Sequence, residues 1–150
     1  MQLCFDFDRV ASTPVPAPST ARMPAASRGL RRARGQMAYH AGHLAEASVA
    51  DRYRDAGYDL VQSRWHGQGG EIDLILRKGG VFVFVEVKAA RDFSRAAERI
   101  SRRQMDRICM AACEFCDTLP NGLMTEMRMD AALVDQIGRI EIIENAFGEH

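Results

Sequence analysis

No stretch of this chain is apolar for the roughly 20 residues that a membrane-spanning helix requires, so that class is set aside first. A secretory leader is not expected either: Met1 to Val10 carries Asp6 and Asp8 and has no apolar segment of the necessary length. The protein is therefore expected in the cytoplasm, away from membranes, where its four cysteines are not expected to pair. Neither charge is in excess, with 20 Lys and Arg against 20 Asp and Glu, and no internal repeat is visible. What is present is 47% hydrophobic and 27% charged residues in a chain of 150, enough for one globular domain with a real core.

The balanced total hides an asymmetry. Six arginines against Asp6 and Asp8 give residues 1–35 a net +4, which leaves −4 for residues 36–150. A basic arm of this kind can neutralise phosphates locally. It can equally be a solvated tail. Residues 11–35 are rich in Ala, Ser, Pro and Arg, with Pro14, Pro16, Pro18 and Pro24. Such a segment buries too little apolar surface to offset its ordering entropy. Residues 1–35 are accordingly expected as a disordered arm, and residues 36–150 as the folded domain.

Within the domain, Ala41 to Ala56 has helical spacing, with Leu44, Val49, Tyr53 and Ala56 near one stripe and Gly57 as the stop. Tyr58 to Arg64 and Glu71 to Arg77 read as strands, followed by a turn at Lys78-Gly79-Gly80. Val81 to Lys88 (VFVFVEVK) is apolar almost to its end and is expected as a central strand covered on both faces. Arg95 to Thr118 reads as one long helix stopped by Pro120 and Gly122, and Met127 to Val134 and Arg139 to Ile143 as two more strands. The order predicts an α/β fold, a mixed sheet with flanking helices.

The chemistry concentrates in Gly70-Glu71-Ile72-Asp73 and Val85-Glu86-Val87-Lys88. Alternate residues of a strand share a face, so Glu71 goes with Asp73 and Glu86 with Lys88. The short turn between the strands lets Asp73 and Glu86 meet, with Lys88 beside them. Two carboxylates on a greasy sheet are costly without a partner. Mg²⁺ suits such a pair, because it takes oxygen ligands from one or two carboxylates and completes its shell with water and phosphate. The alternative is a salt-bridged sheet end in which Lys88 pairs Glu86.

The D-x12-E-x-K spacing of Asp73, Glu86 and Lys88 resembles the PD-(D/E)xK nuclease motif. The wider pattern resembles the YraN family of bacterial proteins, predicted to be endonucleases related in fold to archaeal Holliday-junction resolvases. The matching residues are Glu46, Gly57-Tyr58, GGEIDLI, FVEVK, Arg103-Gln104, Met129-Asp130 and Ile143-Glu144-Asn145-Ala146-Phe147, so the match runs from about Gly42 to Phe147. Ile72 stands where the motif's name has Pro, Ala89-Ala90 replaces the usual Thr-Arg, and the stretch before Arg102 is short. The resemblance implies a restriction-endonuclease-like fold and a homodimer. It implies Asp73 and Glu86 as ligands of Mg²⁺ or Mn²⁺, Lys88 as the catalytic lysine and Glu46 as a further catalytic acid. DNA is the implied substrate.

Other signals are weaker. Cys109, Cys113 and Cys116 have the C-x3-C-x2-C spacing of some iron–sulfur sites, with Cys4 as a conceivable fourth ligand, but on a helix they share one face and are expected to pack in the core. His40 and His43, spaced with Glu46, are expected at the surface, and Trp65 in the core. Arg99, Arg102, Arg103 and Arg107, with Gln104, form either a solvated helix face or one that contacts phosphates. The first residues, Gln2-Leu3-Cys4-Phe5-Asp6-Phe7, resemble the Q-L-x-L-x-F peptide that docks on the DNA sliding clamp, with Phe5 in place of Leu. Gln2, Leu3, Phe5 and Phe7 are thus candidate partner-binding residues. The alternative makes them an edge strand of the domain.

The whole predicts a metal-dependent endonuclease acting on branched or structured DNA. The rival reading is a non-catalytic nucleic-acid-binding or scaffold protein that keeps the fold, and a third is a cluster-binding module built on the cysteines.

Overall fold

The computed structural model describes residues 25–147, and the candidate clamp-docking residues Gln2, Leu3, Phe5 and Phe7 lie outside that range, as does Cys4. The elements are α1 (Ala25–Asp55), β1 (Asp59–His66), β2 (Glu71–Lys78), β3 (Val81–Ala89), α2 (Phe93–Glu98), α3 (Arg102–Asp117), a 3-10 turn (Gly122–Met124), β4 (Met127–Val134) and β5 (Ile140–Ile143). The five strands form one sheet in the order β1-β2-β3-β4-β5. Only β3 and β4 are parallel; the other neighbours are antiparallel. A parallel pair needs a crossover, and α2 and α3 supply it. Among the described residues no helix is long and apolar enough to cross a membrane.

The central strand β3 explains the layering. Val83 and Val85 point to α1 and pack with Val49, Tyr53, Leu74 and Leu76. Phe84 points to α3 and packs with Ile75, Ala112, Phe115 and Cys116. Each such side chain removed from water stabilises the fold by about 1.5–3 kcal/mol. The β2–β3 hairpin closes through Gly79-Gly80, since Lys78 already pairs with Val81. Gly79 has φ 60, a left-handed value that two-residue hairpin turns require and glycine tolerates.

Two expectations are corrected. The first helix begins at Ala25, not Ala41, so residues 25–35 are helical where a disordered linker was expected. The last proline of the linker is Pro24, and the residues after it are largely Ala, Arg, Leu and Gln, good helix formers between occasional glycines. The second correction is a break in the long helix expected over Arg95 to Thr118. It stops at Arg99 and restarts behind Ser101, whose hydroxyl accepts the Gln104 N–H at 3.2 Å as an N-cap.

Candidate active site

Strand parity puts Asp73 and Glu86 on the α3 side of the sheet. Asp73 has the parity of Ile75, and Glu86 that of Phe84. The β2–β3 register ends at Leu74 opposite Val85, and one further step brings Asp73 opposite Glu86. With the ladder ended there, the Asp73 carboxylate accepts the free Val87 N–H at 2.8 Å. The alternation in β2 also slips at this position: Leu74 faces α1, yet Ile72 joins the α3 core. Across the β1–β2 register, the position facing Asp73 belongs to Arg64, which has a left-handed φ of 52. For a non-glycine residue this is a strained conformation, of a kind found at functional sites.

Glu86 is 3% exposed and is held from two sides. Lys88 Nζ lies 2.5 Å from its Oε1, and the Gln104 side-chain amide donates to the same oxygen. Gln104 occupies the third position of α3, from which a glutamine commonly reaches back to the N-cap backbone. Here it is turned to Glu86 instead, so the break at Ser101 is what brings α3 to the carboxylates. Asp73, Glu86, Lys88, Arg103, Gln104 and Arg107 line one open cavity of about 580 Å³, with Gly70, Glu71, Ser101 and Ile108 completing its wall. Burial, and then the Glu86 charge, push the Asp73 carboxyl up to about 7; the Val87 N–H and Lys88 oppose this only in part.

The glycine segment before β2 sets the distance to α3. Glu114 accepts the backbone N–H groups of Gln68 and Gly69. A Cβ at Gly69 would stand 2.9 Å from Met110 and 3.0 Å from the Ala111 backbone, which no side chain can do without displacing α3. The first glycine of GGEIDLI, Gly69, therefore allows the close approach of α3 that closes the cavity.

The other candidates are placed less uniformly. Glu46 does not line the cavity: it binds Arg64 at 3.0 and 3.3 Å from the α1 side, although its charge is near enough to raise Asp73 further. Arg99 donates to the Ala89 carbonyl at 2.6 Å and so ties the helix break to the end of β3. Arg102 is exposed and lies 3.9 Å from Asp106. Arg103 and Gln104 reach the cavity, and so does Arg107. Cys116 is buried in the α3 core, but Cys109 is half-buried and Cys113 is exposed, so core packing holds for Cys116 and fails for Cys113. A 16-residue helix on a sheet buries one stripe, and Cys113 falls off it. Trp65 packs edge-on against Phe115 with ring centroids 5.7 Å apart.

Spacing and periodicity do not announce the node at Asp130. Its buried carboxylate accepts from Tyr53 Oη at 2.8 Å, from Arg128 at 2.8 and 2.9 Å, and from the Asn145 N–H at 2.9 Å. Burial and the Asp130 charge raise the Tyr53 hydroxyl, while the Asp130 hydrogen bonds raise Arg128. This node joins α1, β4 and the chain after β5, and it gives Asp130 and Asn145 a structural rather than a chemical reason to be there.

A five-stranded mixed sheet flanked by helices, with an Asp, a Glu and a Lys at the end of its central hairpin, is consistent with a restriction-endonuclease-like fold. Residues 45–143 match the model of the family described as "Uncharacterised protein family UPF0102". A UPF0102 protein of Ruegeria pomeroyi is 56% identical over 115 residues, covering 77% of this chain and 94% of the relative. A UPF0102 protein of Roseobacter denitrificans is 55% identical over 115 residues, 77% of this chain and 89% of its own length. One from Cereibacter sphaeroides is 52% identical over 113 residues, 75% of this chain and 97% of its own length. The chain belongs to the UPF0102 family, that of the YraN proteins.

Proposed function

We propose that this UPF0102 protein is a metal-dependent endonuclease of the cytoplasm that cuts branched or structured DNA. One observation carries the reading: Asp73, Glu86 and Lys88 share an open cavity whose rim holds Arg103 and Arg107. A purely structural ion pair has no need of a second carboxyl held close to neutrality by burial and by its neighbour.

The donor set fits a hard divalent cation. Asp73 and Glu86 offer carboxylate oxygens, and their mutual repulsion is what such an ion relieves. Mg²⁺ and Mn²⁺ are commonly held by one or two carboxylates and otherwise by water and substrate phosphate. When bound, the ion would polarise the phosphodiester and acidify a water.

The chain's own residues do the rest. Arg103 and Arg107 draw the phosphate backbone to the cavity. Lys88 carries its charge next to Glu86, where it stabilises negative charge developing on the phosphoryl oxygens. Gln104 fixes Glu86 so that its second oxygen remains for a ligand. Glu46 acts from outside the cavity by fixing Arg64 opposite Asp73 and by its charge.

The non-catalytic reading has one observation in its favour: Lys88 and Gln104 together hold one oxygen of Glu86 without a cation. Incubation of the purified protein with junction, flap, duplex and single-stranded DNAs in Mg²⁺ or Mn²⁺ decides between them. Cleavage supports the nuclease; binding without cleavage supports the scaffold.

A further inference from the structure

Every residue from Arg28 to Ala41 is exposed, although all are helical. Four arginines, Arg28, Arg31, Arg32 and Arg34, lie in this part of α1, and no acidic residue occurs in the helix before Glu46. Among the described residues none of the four guanidinium groups has an ion-pair or hydrogen-bond partner. This is a concentrated positive surface on a chain whose residues 36–150 sum to −4.

The direction of that surface follows from the rest of the helix. Eighteen residues are five full turns. That spacing separates Arg28 from Glu46, Arg31 from Val49 and Arg32 from Ala50. Val49 and Ala50 are buried against the sheet, and Glu46 meets Arg64 of β1. The three arginines therefore project to the side on which the sheet lies. They do so beyond its end, because Leu44 and Ala45 already stand over Ala89 and Val134, where β3 and β4 finish. Glu86 and Lys88 are at that same end.

We propose that the N-terminal half of α1 is a phosphate-gripping arm that holds a duplex segment of nucleic acid across the end of the sheet, a proposal that rests on the nuclease reading. The cavity and Arg103 and Arg107 bound one side of the bound duplex, and the arm bounds the other. Measured from Glu46, whose charge reaches Asp73, the three arm arginines stand about 21–27 Å away along the helix axis. That is roughly six to eight base pairs at 3.4 Å each. The arm thus contacts backbone more than half a helical turn away from the bond at the cavity. A stiff duplex arm spans that distance; a free nucleotide or a flexible single strand does not hold it.

The test is a binding measurement in EDTA, where no metal-dependent cleavage occurs. Fluorescence anisotropy of a labelled 24-base-pair duplex and a four-way junction compares the full-length protein with the triple variant Arg28→Gln, Arg31→Gln, Arg32→Gln. Glutamine keeps the helix propensity, and an unchanged melting temperature confirms the fold. The variant is expected to bind at least about tenfold more weakly at 0.1 M salt, with a log K against log salt slope shallower by about 2–3, one for each lost phosphate contact. The corresponding Lys triple restores most of the binding. Equal affinity and equal slope for variant and wild type overturn the arm and leave the nuclease reading untouched. Absence of DNA binding by the wild type also overturns it. Arm-dependent binding by a protein that cleaves nothing upholds the arm and removes the nuclease reading.

Discussion

Replacing Asp73 by Asn should move stability and activity in opposite directions. Burial and the Glu86 charge raise this carboxyl from 3.8 to about 7 in the folded chain. Between those values the folded state binds more protons than the unfolded state, so stability falls as pH rises through that window. This is the reverse of a salt-bridged aspartate. The shift sets an upper limit on the order of 4 kcal/mol for what ionised Asp73 costs the metal-free fold at pH 8. Counter-ions reaching the open cavity reduce this to about 2–3 kcal/mol. The amide of Asp73→Asn keeps an oxygen for the Val87 N–H and offers a donor to Glu86. Urea unfolding in EDTA should therefore find the variant more stable than wild type by about 2–3 kcal/mol at pH 8, with the gap closing as pH is lowered toward 4. Adding Mn²⁺ should stabilise the wild type, more at pH 8 than at pH 6, and leave the variant unmoved. A variant no more stable than wild type at pH 8, or a gap independent of pH, shows that ionised Asp73 does not destabilise the metal-free fold.

Lys88→Ala should slow single-turnover cleavage by roughly 100-fold while changing the DNA dissociation constant much less, measured on the same substrate. The cysteines should separate: Cys116→Ser places a hydroxyl in the α3 core and costs about 1–3 kcal/mol, whereas exposed Cys113→Ser stays within about 0.5 kcal/mol, both read by urea unfolding. A peptide of Met1 to Val10 should bind the sliding clamp of the source organism and lose that binding on Gln2→Ala with Leu3→Ala; no binding at tens of micromolar removes that proposal.

The hairpin carrying the site was legible because its signals are local. Alternating residues fix the faces of β2 and β3, and Gly79-Gly80 fixes the turn, so the meeting of Asp73 and Glu86 follows from spacing alone. β4 was read with the bounds it has, Met127–Val134, because it is a short apolar run between clear breaks. The break at Ser101 was not read, since Arg95 to Thr118 has helical propensity throughout. Its sign was the Ser101-x-x-Gln104 pattern, which is ambiguous until Gln104 is seen to bind Glu86. The length of α1 is hidden in the sequence because the composition of residues 11–35 changes at Pro24, within a stretch that carries Ala and Arg on both sides of it. The pairing of Glu46 with Arg64 depends on a left-handed residue inside a strand, which no periodicity announces. Asp130 gathers partners from two distant segments, α1 and the chain after β5, and a sequence does not show such convergence.

That the cavity of Asp73, Glu86 and Lys88 hydrolyses phosphodiester bonds is tested most directly by cleavage of a labelled four-way junction by wild type and Asp73→Asn, side by side, in Mg²⁺ and in Mn²⁺ at pH 8. Cleavage is expected for the wild type in metal, none in EDTA, and none for the variant, although it remains folded and more stable in the absence of metal. Equal cleavage by the two proteins, or an intact junction and intact flap, duplex and single-stranded controls with wild type in both metals, contradicts hydrolysis at that cavity.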